Sequence, residues 1–387
     1  MIKHIFQYIS YNSSILVAYS GGLDSTVLLH QLINIKKKNP SLKIRAIHIN
    51  HNINVNSQLW INHCIQKCHI YKITLVVKSI QKIIQNKNIE HQLRHERYTL
   101  IKQHILPQEI LVTGHNLNDQ IETILLALKR GSGPTGLQGI LEFSYFGKNK
   151  IIRPLLKIER SQIERWALCN NLNWIQDHSN TDMRFDRNFL RSKIIPLLYQ
   201  RWPGFLKNCA TTAKICSSTE KIINSLSQKL FKKYSLPDTS LNISTFNTLS
   251  EDFRNLILRY WIYQKTNLRI SYTKTKIIYN EVINAKKDKN PRFIFYQYEI
   301  RRYKHNIYCM LHYPSIKNLI LFWHKPWNKL QLPYNLGNIT HNHDQYHNSK
   351  ISMPKYNEQV NIRFQFTGSI FTEKPYQKTK IKKYGKK

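Results

Sequence analysis

The sequence predicts an α/β fold: a doubly wound parallel sheet, joined to a helical region and then to a small α+β region. Three observations lead there. In the first half, apolar runs of strand length alternate with stretches of helical periodicity, which is the pattern of a parallel sheet with helices on both faces. From about Ser161 the pattern turns helical. Strand-like runs return only towards the C-terminal end.

Taken in order, strands are expected over 15–19, 44–49, 73–77 and 110–113, with helices over 26–34, 58–68, 91–105 and 119–129. Further helices are expected around Trp166 and over 185–199. Ile215, Ile222, Leu226 and Leu230 recur at helical spacing and mark a long connecting helix. Ser235-Leu236-Pro237-Asp238 ends it. Ser250 is placed to cap a helix over 252–263, and another is expected over 274–284. Strands over 293–298 and 307–311, a polar loop over 338–350, a strand over 360–366 and a lysine-rich tail from Lys374 complete the chain. Ligands on open α/β sheets sit beyond the carboxyl ends of the strands. Loops that follow strands are therefore the candidate sites.

Composition narrows the function. A length of 387 residues suggests two or three domains, and 41% hydrophobic content is enough for real cores. The net charge of +37 points to a polyanion such as nucleic acid. AT-rich codons also specify Lys, Ile, Asn and Tyr, so genome bias is a second source of the lysines. No apolar run is long enough for a membrane span. Ile15-Leu16-Val17-Ala18 is too short for a signal peptide's apolar region. Six cysteines in a chain of this length do not make a disulfide framework. A cytoplasmic protein is the expectation.

The sharpest local feature is Ser20-Gly21-Gly22-Leu23-Asp24-Ser25, between the first strand and the first helix. Two glycines let the backbone turn tightly and approach a phosphate. The helix start offers free N–H groups and the positive end of its dipole. Ser20 and Ser25 add hydroxyls, and Asp24 suits Mg²⁺. An ordinary capped turn is the plainer reading, and the strand-loop-helix context favours phosphate. The loop lacks the lysine of a Walker A motif. Gly131-Ser132-Gly133-Pro134-Thr135-Gly136 is no Walker loop either, since Leu137 follows it and a helix precedes it.

The hexapeptide resembles the loop of the N-type ATP pyrophosphatases, the PP-loop superfamily, which cleave ATP to AMP and pyrophosphate. Further motifs follow in order: His48-Ile49-Asn50-His51-Asn52; Asn88 to Tyr98 with Arg94 and Arg97; Gly114-His115-Asn116-Leu117-Asn118-Asp119-Gln120-Ile121-Glu122-Thr123; Arg153-Pro154-Leu155-Leu156; and Asp177 to Asp182 running into Arg187-Asn188-Phe189-Leu190-Arg191. Over roughly the first 200 residues this set resembles the tRNA(Ile)-lysidine synthase family. More weakly, 249–308 looks like the family's helical linker domain, and 360–368 like the start of its tRNA-binding domain.

The resemblance implies an adenine nucleotide α-hydrolase-like, Rossmann-like catalytic domain over 1–205, a linker domain over 206–312 and a shortened C-terminal tRNA-binding domain over 313–387. It implies a ligase using ATP and Mg²⁺ on tRNA(Ile) with a CAU anticodon. ATP adenylates O2 of the wobble cytidine, free L-lysine attacks C2, and AMP leaves. Residues 20–25, His51, Arg94, Arg97, Gly114 and His115 would hold the nucleotide. Asp24, Asp119, Glu122 and Arg191 would carry the chemistry, with Asp24 and Asp119 as magnesium ligands. Asp119 and Glu122 share one helical face, and either would receive the lysine ammonium or the metal; spacing alone would make them a solvated face. A homodimer is also implied. Where the family shows a second histidine and an Asp-Asp pair, this chain has Asn116, Asn118 and Asp119, with less negative charge to offer a metal or an amine.

Other features point elsewhere or nowhere. Cys64 and Cys68, with His63 and His69, lack the second pair that zinc needs. Trp166, Trp174 and Trp202 are expected in cores. Asp177 and Asn180 are expected to shape a loop. A tRNA thiolation enzyme of the same superfamily is the nearest rival, but such enzymes commonly use a C-x-x-C pair, and Cys64 and Cys68 are spaced C-x-x-x-C. A non-catalytic tRNA-binding relic is the rival from another class.

Overall fold

The computed structural model describes residues 2–10, 12–52, 57–81, 89–176, 182–286, 289–340, 360–365, 369–371 and 378–380. Two compact units divide the chain, Met1–Leu226 and Ser227–Lys387.

In the first unit the strands are β1 (Ser14–Ala18), β2 (Lys43–Asn50), β3 (Thr74–Ser79), β4 (Ile110–Val112), β5 (Phe143–Phe146) and β6 (Asn149–Ile152). Between and after them run α1 (Leu23–Lys38), α2 (Ser57–Ile70), α3 (Ile89–His104), α4 (Leu117–Lys129), the single turn α5 (Pro134–Leu137) and α6 (Arg160–Cys169). A short α7 (Asp186–Phe189), a π-helical turn (Leu190–Ile194) and α8 (Ile195–Arg201) follow.

Alternate residues of a strand face opposite sides of its sheet. On β1, Ile15 and Val17 enter one core and Leu16 another, all with no exposure. Ile44 and Ala46 of β2 share a side with Ile110 and Val112 of β4, while Ile47, Ile49 and Leu111 take the other. Strands buried on both faces belong in the middle of a sheet. The order is β3-β2-β1-β4-β6-β5. One side is covered by α1, α2 and α6, through Val27, Leu28, Cys64, Cys68, Ile163 and Ala167. The other is covered by α3, through Ile101.

The expected strands and helices of this half are present with slightly shifted ends. The sheet also holds β5 and β6, which the sequence reading lacked. They are short and half polar, joined by a two-residue turn in which Gly147 has φ +62°. Such a turn links antiparallel strands, so β5 is the antiparallel edge of an otherwise parallel sheet.

The chain leaves β1 for β2 on one side and returns to β4 on the other. The reversal of direction therefore falls between β1 and β4, where a crevice opens at the carboxyl ends of the strands. Both key loops lie there. At the flank, Leu117, Ile121 and Ile124 of α4 pack with Ile195, Leu206 and Ala213. Leu206 and Ala213 belong to α9 (Phe205–Tyr234), the expected long helix. Of the apolar residues whose spacing marked it, Ile215, Ile222 and Leu226 are exposed. Trp202 is also exposed, against expectation, and stacks on Phe205 beside it.

The second unit has its own core. Ser250 caps α10 (Glu251–Thr266) as expected, and Ile257, Leu258, Trp261 and Ile262 are buried on it. The helix expected over 274–284 is instead α11 (Tyr272–Ile277) continuing as a π-helix over Ile278–Ile283. These pack on an antiparallel sheet ordered β7-β10-β9-β8, comprising β7 (Leu241–Asn242), β8 (Arg292–Phe295), β9 (Tyr298–Tyr303) and β10 (Asn306–Leu311). Three two-stranded ribbons follow: β11 (Ile320–Trp323) with β14 (Val360–Arg363), β12 (Leu330–Gln331) with β13 (Asn338–Ile339), and β15 (Ser369–Phe371) with β16 (Lys378–Lys380). Among the described residues no helix is long and apolar enough to cross a membrane.

Candidate active site

The loop after β1 is shaped for an anion. Gly21 has φ +81°, a conformation that favours glycine, and a Cβ there would lie 2.8 Å from Ile175 Cδ1 and 3.0 Å from Cys64 Sγ. The Gly21 carbonyl accepts from Ile175 N at 2.9 Å and from Thr26 Oγ1 at 3.3 Å. Ser25 Oγ donates to the Gly22 carbonyl at 3.0 Å and lies 3.1 Å from Ser20 Oγ. Gly22 is the N-cap of α1 and has no side chain to close the first turn. The first N–H groups of a helix have no partner within it; here no cap side chain takes them up, and they remain for a ligand. Leu23, expected to touch the nucleotide, has its side chain in the core, so only its backbone can serve.

The loop after β4 meets this turn directly. A Cβ on Gly114 would lie 3.1 Å from the backbone carbon of Asp24, so glycine here permits the approach of the two loops. Beyond it, Asn116 caps α4: its Oδ1 accepts from Asp119 N at 3.1 Å, and Asp119 Oδ2 accepts from Asn116 N at 2.9 Å. Asn116 Nδ2 also donates to Asp24 Oδ1 at 2.9 Å.

From Asp24 outward runs a hydrogen-bonded line of carboxylates and guanidinium groups. Arg160 Nη1 donates to Asp24 Oδ2 at 2.9 Å. Asn116 joins Asp24 to Asp119. Arg191 Nη2 donates to Asp119 Oδ1 at 3.3 Å, and Arg191 Nε donates to Glu122 Oε1 at 2.8 Å. Arg187 Nη1 reaches Glu122 Oε2 at 3.5 Å. Glu122 is fully buried. Burial pushes its carboxyl up, and the Arg191 guanidinium opposes that shift. Burial also pushes the Asp24 carboxyl up, with Arg160 the chief opposing influence. Arg191 sits on the π-helical turn, a distortion that often marks functional helices.

All four residues expected to carry the chemistry, Asp24, Asp119, Glu122 and Arg191, thus meet in one hydrogen-bonded line. Arg160 and Arg187 belong to it and were not singled out. The two asparagines have structural work: Asn116 joins the loops, and Asn118 Oδ1 accepts from the Arg160 backbone N–H at 3.0 Å.

A second group of cations lies beside the first. Arg94 and Arg97 place their guanidinium carbons 5.2 and 5.3 Å from the Tyr98 ring centre. The buried Arg153 follows β6 and donates to the Leu141 carbonyl at 2.6 Å. His115 Nδ1 is 2.8 Å from Thr113 Oγ1. Burial and the guanidinium groups of Arg153, Arg97, Arg94 and Arg187 push the His115 pKa well down, so its ring is neutral. Tyr98 is half-buried, and although desolvation pushes its phenol up, Arg97, Arg94 and Arg153 together pull it below the usual value. His51 directly follows β2, at the carboxyl edge of the sheet.

Among the described residues no group of three His, Cys, Asp or Glu side chains is placed to hold a metal. Magnesium fits here as a bridge to nucleotide phosphates through one or two carboxylates, its usual mode, and not in a cage of protein ligands. Cys64 and Cys68 are buried beneath the glycine turn, and burial pushes both thiols up to about 12. A thiol held protonated is a poor nucleophile, which disfavours sulfur chemistry at this pair. Residues 177–181, including Asp177 and Asn180, lie outside the described residues.

Comparison with known proteins agrees with this geometry. Residues 1–198 match the family model described as a PP-loop domain, and residues 241–308 match the TilS substrate binding domain. The tRNA(Ile)-lysidine synthase of Buchnera aphidicola subsp. Schizaphis graminum is 47% identical over 95% of this chain and 82% of its own length. That of Wigglesworthia glossinidia brevipalpis is 41% identical over 88% of each, and that of Escherichia coli O157:H7 is 38% identical over 92% and 82%. Among solved structures, the U34-tRNA thiolase NcsA of Methanococcus maripaludis superposes with a TM-score of 0.45 at 19% identity, over 54% of this chain and 73% of that one.

Proposed function

The chain belongs to the tRNA(Ile)-lysidine synthase family, and from that premise we propose how its residues divide the work. The reaction is ATP-dependent ligation of free L-lysine to C2 of the wobble cytidine in tRNA(Ile) with a CAU anticodon. It yields lysidine, AMP and pyrophosphate, and the product anticodon reads AUA as isoleucine.

Adenylation at the α-phosphate expels pyrophosphate, so donors must hold that leaving group. The Ser20–Ser25 turn supplies backbone N–H groups and two hydroxyls. Asp24, with Asp119 as the second carboxylate, would hold Mg²⁺, which would supply positive charge to the phosphates. Arg94 and Arg97 take phosphate charge from ATP or from the tRNA backbone.

Lysine brings one carboxylate and two ammonium groups, and a line that holds charges of both signs suits such a molecule. Arg191 takes its carboxylate. Asp119 and Glu122 receive the side-chain ammonium and draw off its proton, since only the neutral amine attacks. The observation that carries this reading is the unbroken line from Asp24 on the ATP turn to Glu122.

The division into a catalytic domain over 1–205, a linker over 206–312 and a tRNA-binding domain over 313–387 is part of the proposal, as is a homodimer. The deciding experiment incubates the protein with ATP, magnesium, labelled lysine and tRNA(Ile) bearing CAU. Lysine incorporation with AMP release is expected. Sulfur transfer would support a thiolase instead, and binding without chemistry a relic. Asp119→Asn is expected to cut lysine incorporation; full lysidine formation by that variant would refute its assignment.

A further inference from the structure

Asp24 already has both its oxygens engaged, by Asn116 Nδ2 at 2.9 Å and by Arg160 Nη1 at 2.9 Å. A magnesium ion on Oδ2 would sit within a few ångströms of the guanidinium, and two cations on one carboxylate oxygen repel. One of them has to leave. The backbone of Arg160 is fixed, because it opens α6 and its N–H is held by Asn118 Oδ1 at 3.0 Å. Its side chain is not: it is 40% exposed. Only the side chain is therefore free to swing, and its guanidinium already reaches Asp24 in the first turn of α1.

We propose that Arg160 is a positioning residue that holds Asp24 in the nucleotide-free enzyme and then exchanges partners. When magnesium and ATP arrive, the carboxylate passes to the metal and the guanidinium turns to a phosphate oxygen of the same nucleotide. The empty turn thereby keeps its carboxylate compensated and aimed. The cation displaced by the metal stays in the site, where the triphosphate brings new negative charge. Asn118 has its place in this device, since it anchors the pivot. The inference rests on the reading of Asp24 as the magnesium-bearing carboxylate.

The test is equilibrium binding of ATP to the full-length protein, without tRNA, by titration calorimetry at graded magnesium concentrations. Arg160→Ala removes both the competitor for Asp24 and the phosphate contact, so two opposite changes are expected. The magnesium concentration for half-maximal ATP binding falls several-fold. At saturating magnesium, ATP affinity drops about tenfold, the worth of one charge-assisted hydrogen bond. Arg160→Lys retains a point charge but not the planar fork. It restores the magnesium requirement and only part of the ATP affinity, and it serves if the alanine variant folds poorly.

A purely structural role would weaken ATP binding while raising the magnesium requirement, or would change neither, and either result overturns the proposal. Asp24→Asn separates this from the underlying reading. If that variant keeps the normal magnesium requirement, the assignment of Asp24 fails and the exchange fails with it. If Asp24→Asn shifts the requirement and Arg160→Ala does not, the exchange alone fails.

Discussion

Two fully buried glutamates in the first unit each pair with an arginine, and they lie at opposite ends of β4. Glu109 stands just before the strand. Arg45 grips it with two parallel bonds of 2.7 Å, Leu106 N adds a third at 2.9 Å, and the same guanidinium donates to the His104 carbonyl. One carboxylate thus meets one fork, with the spare hydrogen bonds used by nearby backbone. Glu122 stands beyond the strand, on α4. Its arginine is shared with Asp119, and a second arginine approaches only to 3.5 Å. Burial raises the Glu122 carboxyl despite these partners. The chemistry of the two pairs is the same, but the first is closed and the second is strung along a line of charges that continues to the ATP turn. Closure marks a structural pair; an open line marks a place prepared for a ligand with charges of its own.

The largest expected effect breaks this contrast if it is wrong. Glu122→Gln should lower lysine transfer by about 10²–10⁴-fold, the usual worth of a positioned general base, while tRNA-dependent release of pyrophosphate persists. Quenched assays that count AMP-cytidine and lysidine separately would check it. Glu109→Gln should do the reverse. It takes the countercharge from a half-buried guanidinium in a pair whose carboxylate side is fully buried, and should cost about 3–5 kcal/mol of stability, measured by urea denaturation. Lysine transfer by the folded fraction should remain near normal. Equal losses of activity from both substitutions would erase the distinction between closed and open pairs.

Much of the open site was legible in the sequence, because its parts sit in short ordered motifs. The Ser20–Ser25 turn announces itself by two glycines between a strand and a helix. Asp119 and Glu122 share a helix face by spacing alone. Arg160 was not legible: its partner Asp24 lies 136 positions away, and no local pattern reports a contact made by sheet topology. Asn116 reads in sequence only as a replaced histidine. In the fold its amide does two things at once, donating to Asp24 through Nδ2 and capping α4 through Oδ1. Which side of α9 is exposed was not legible for a related reason. Helical spacing of Ile215, Ile222 and Leu226 reports the period of a helix, but only packing decides which side is covered.

The smallest effect sharpens the comparison by asking whether the open end of β4 truly crowds positive charge. Thr113, Gly114 and His115 follow the strand, and four arginines act on the histidine, while burial adds to their effect. If the ring is held neutral in the fold, the folded protein takes up no proton at His115 where the unfolded chain does. The unfolded value is about 6.5. Above it the group contributes nothing; as the pH falls below it, protonation of the unfolded chain lowers stability, by up to about 1.4 kcal/mol per pH unit. His48 carries a shift of the same sign, so the wild-type slope alone is ambiguous. The informative quantity is the difference between wild type and His115→Asn. As the pH falls below about 6.5 that difference should grow in favour of the variant. Raised carboxyls at Asp24 and Glu122 act with the opposite sign, since they bind protons in the fold before the unfolded chain does, but both are present in each protein and cancel in the comparison. Parallel stability curves would mean that His115 titrates normally and that the arginines beside it do not crowd this edge of the sheet.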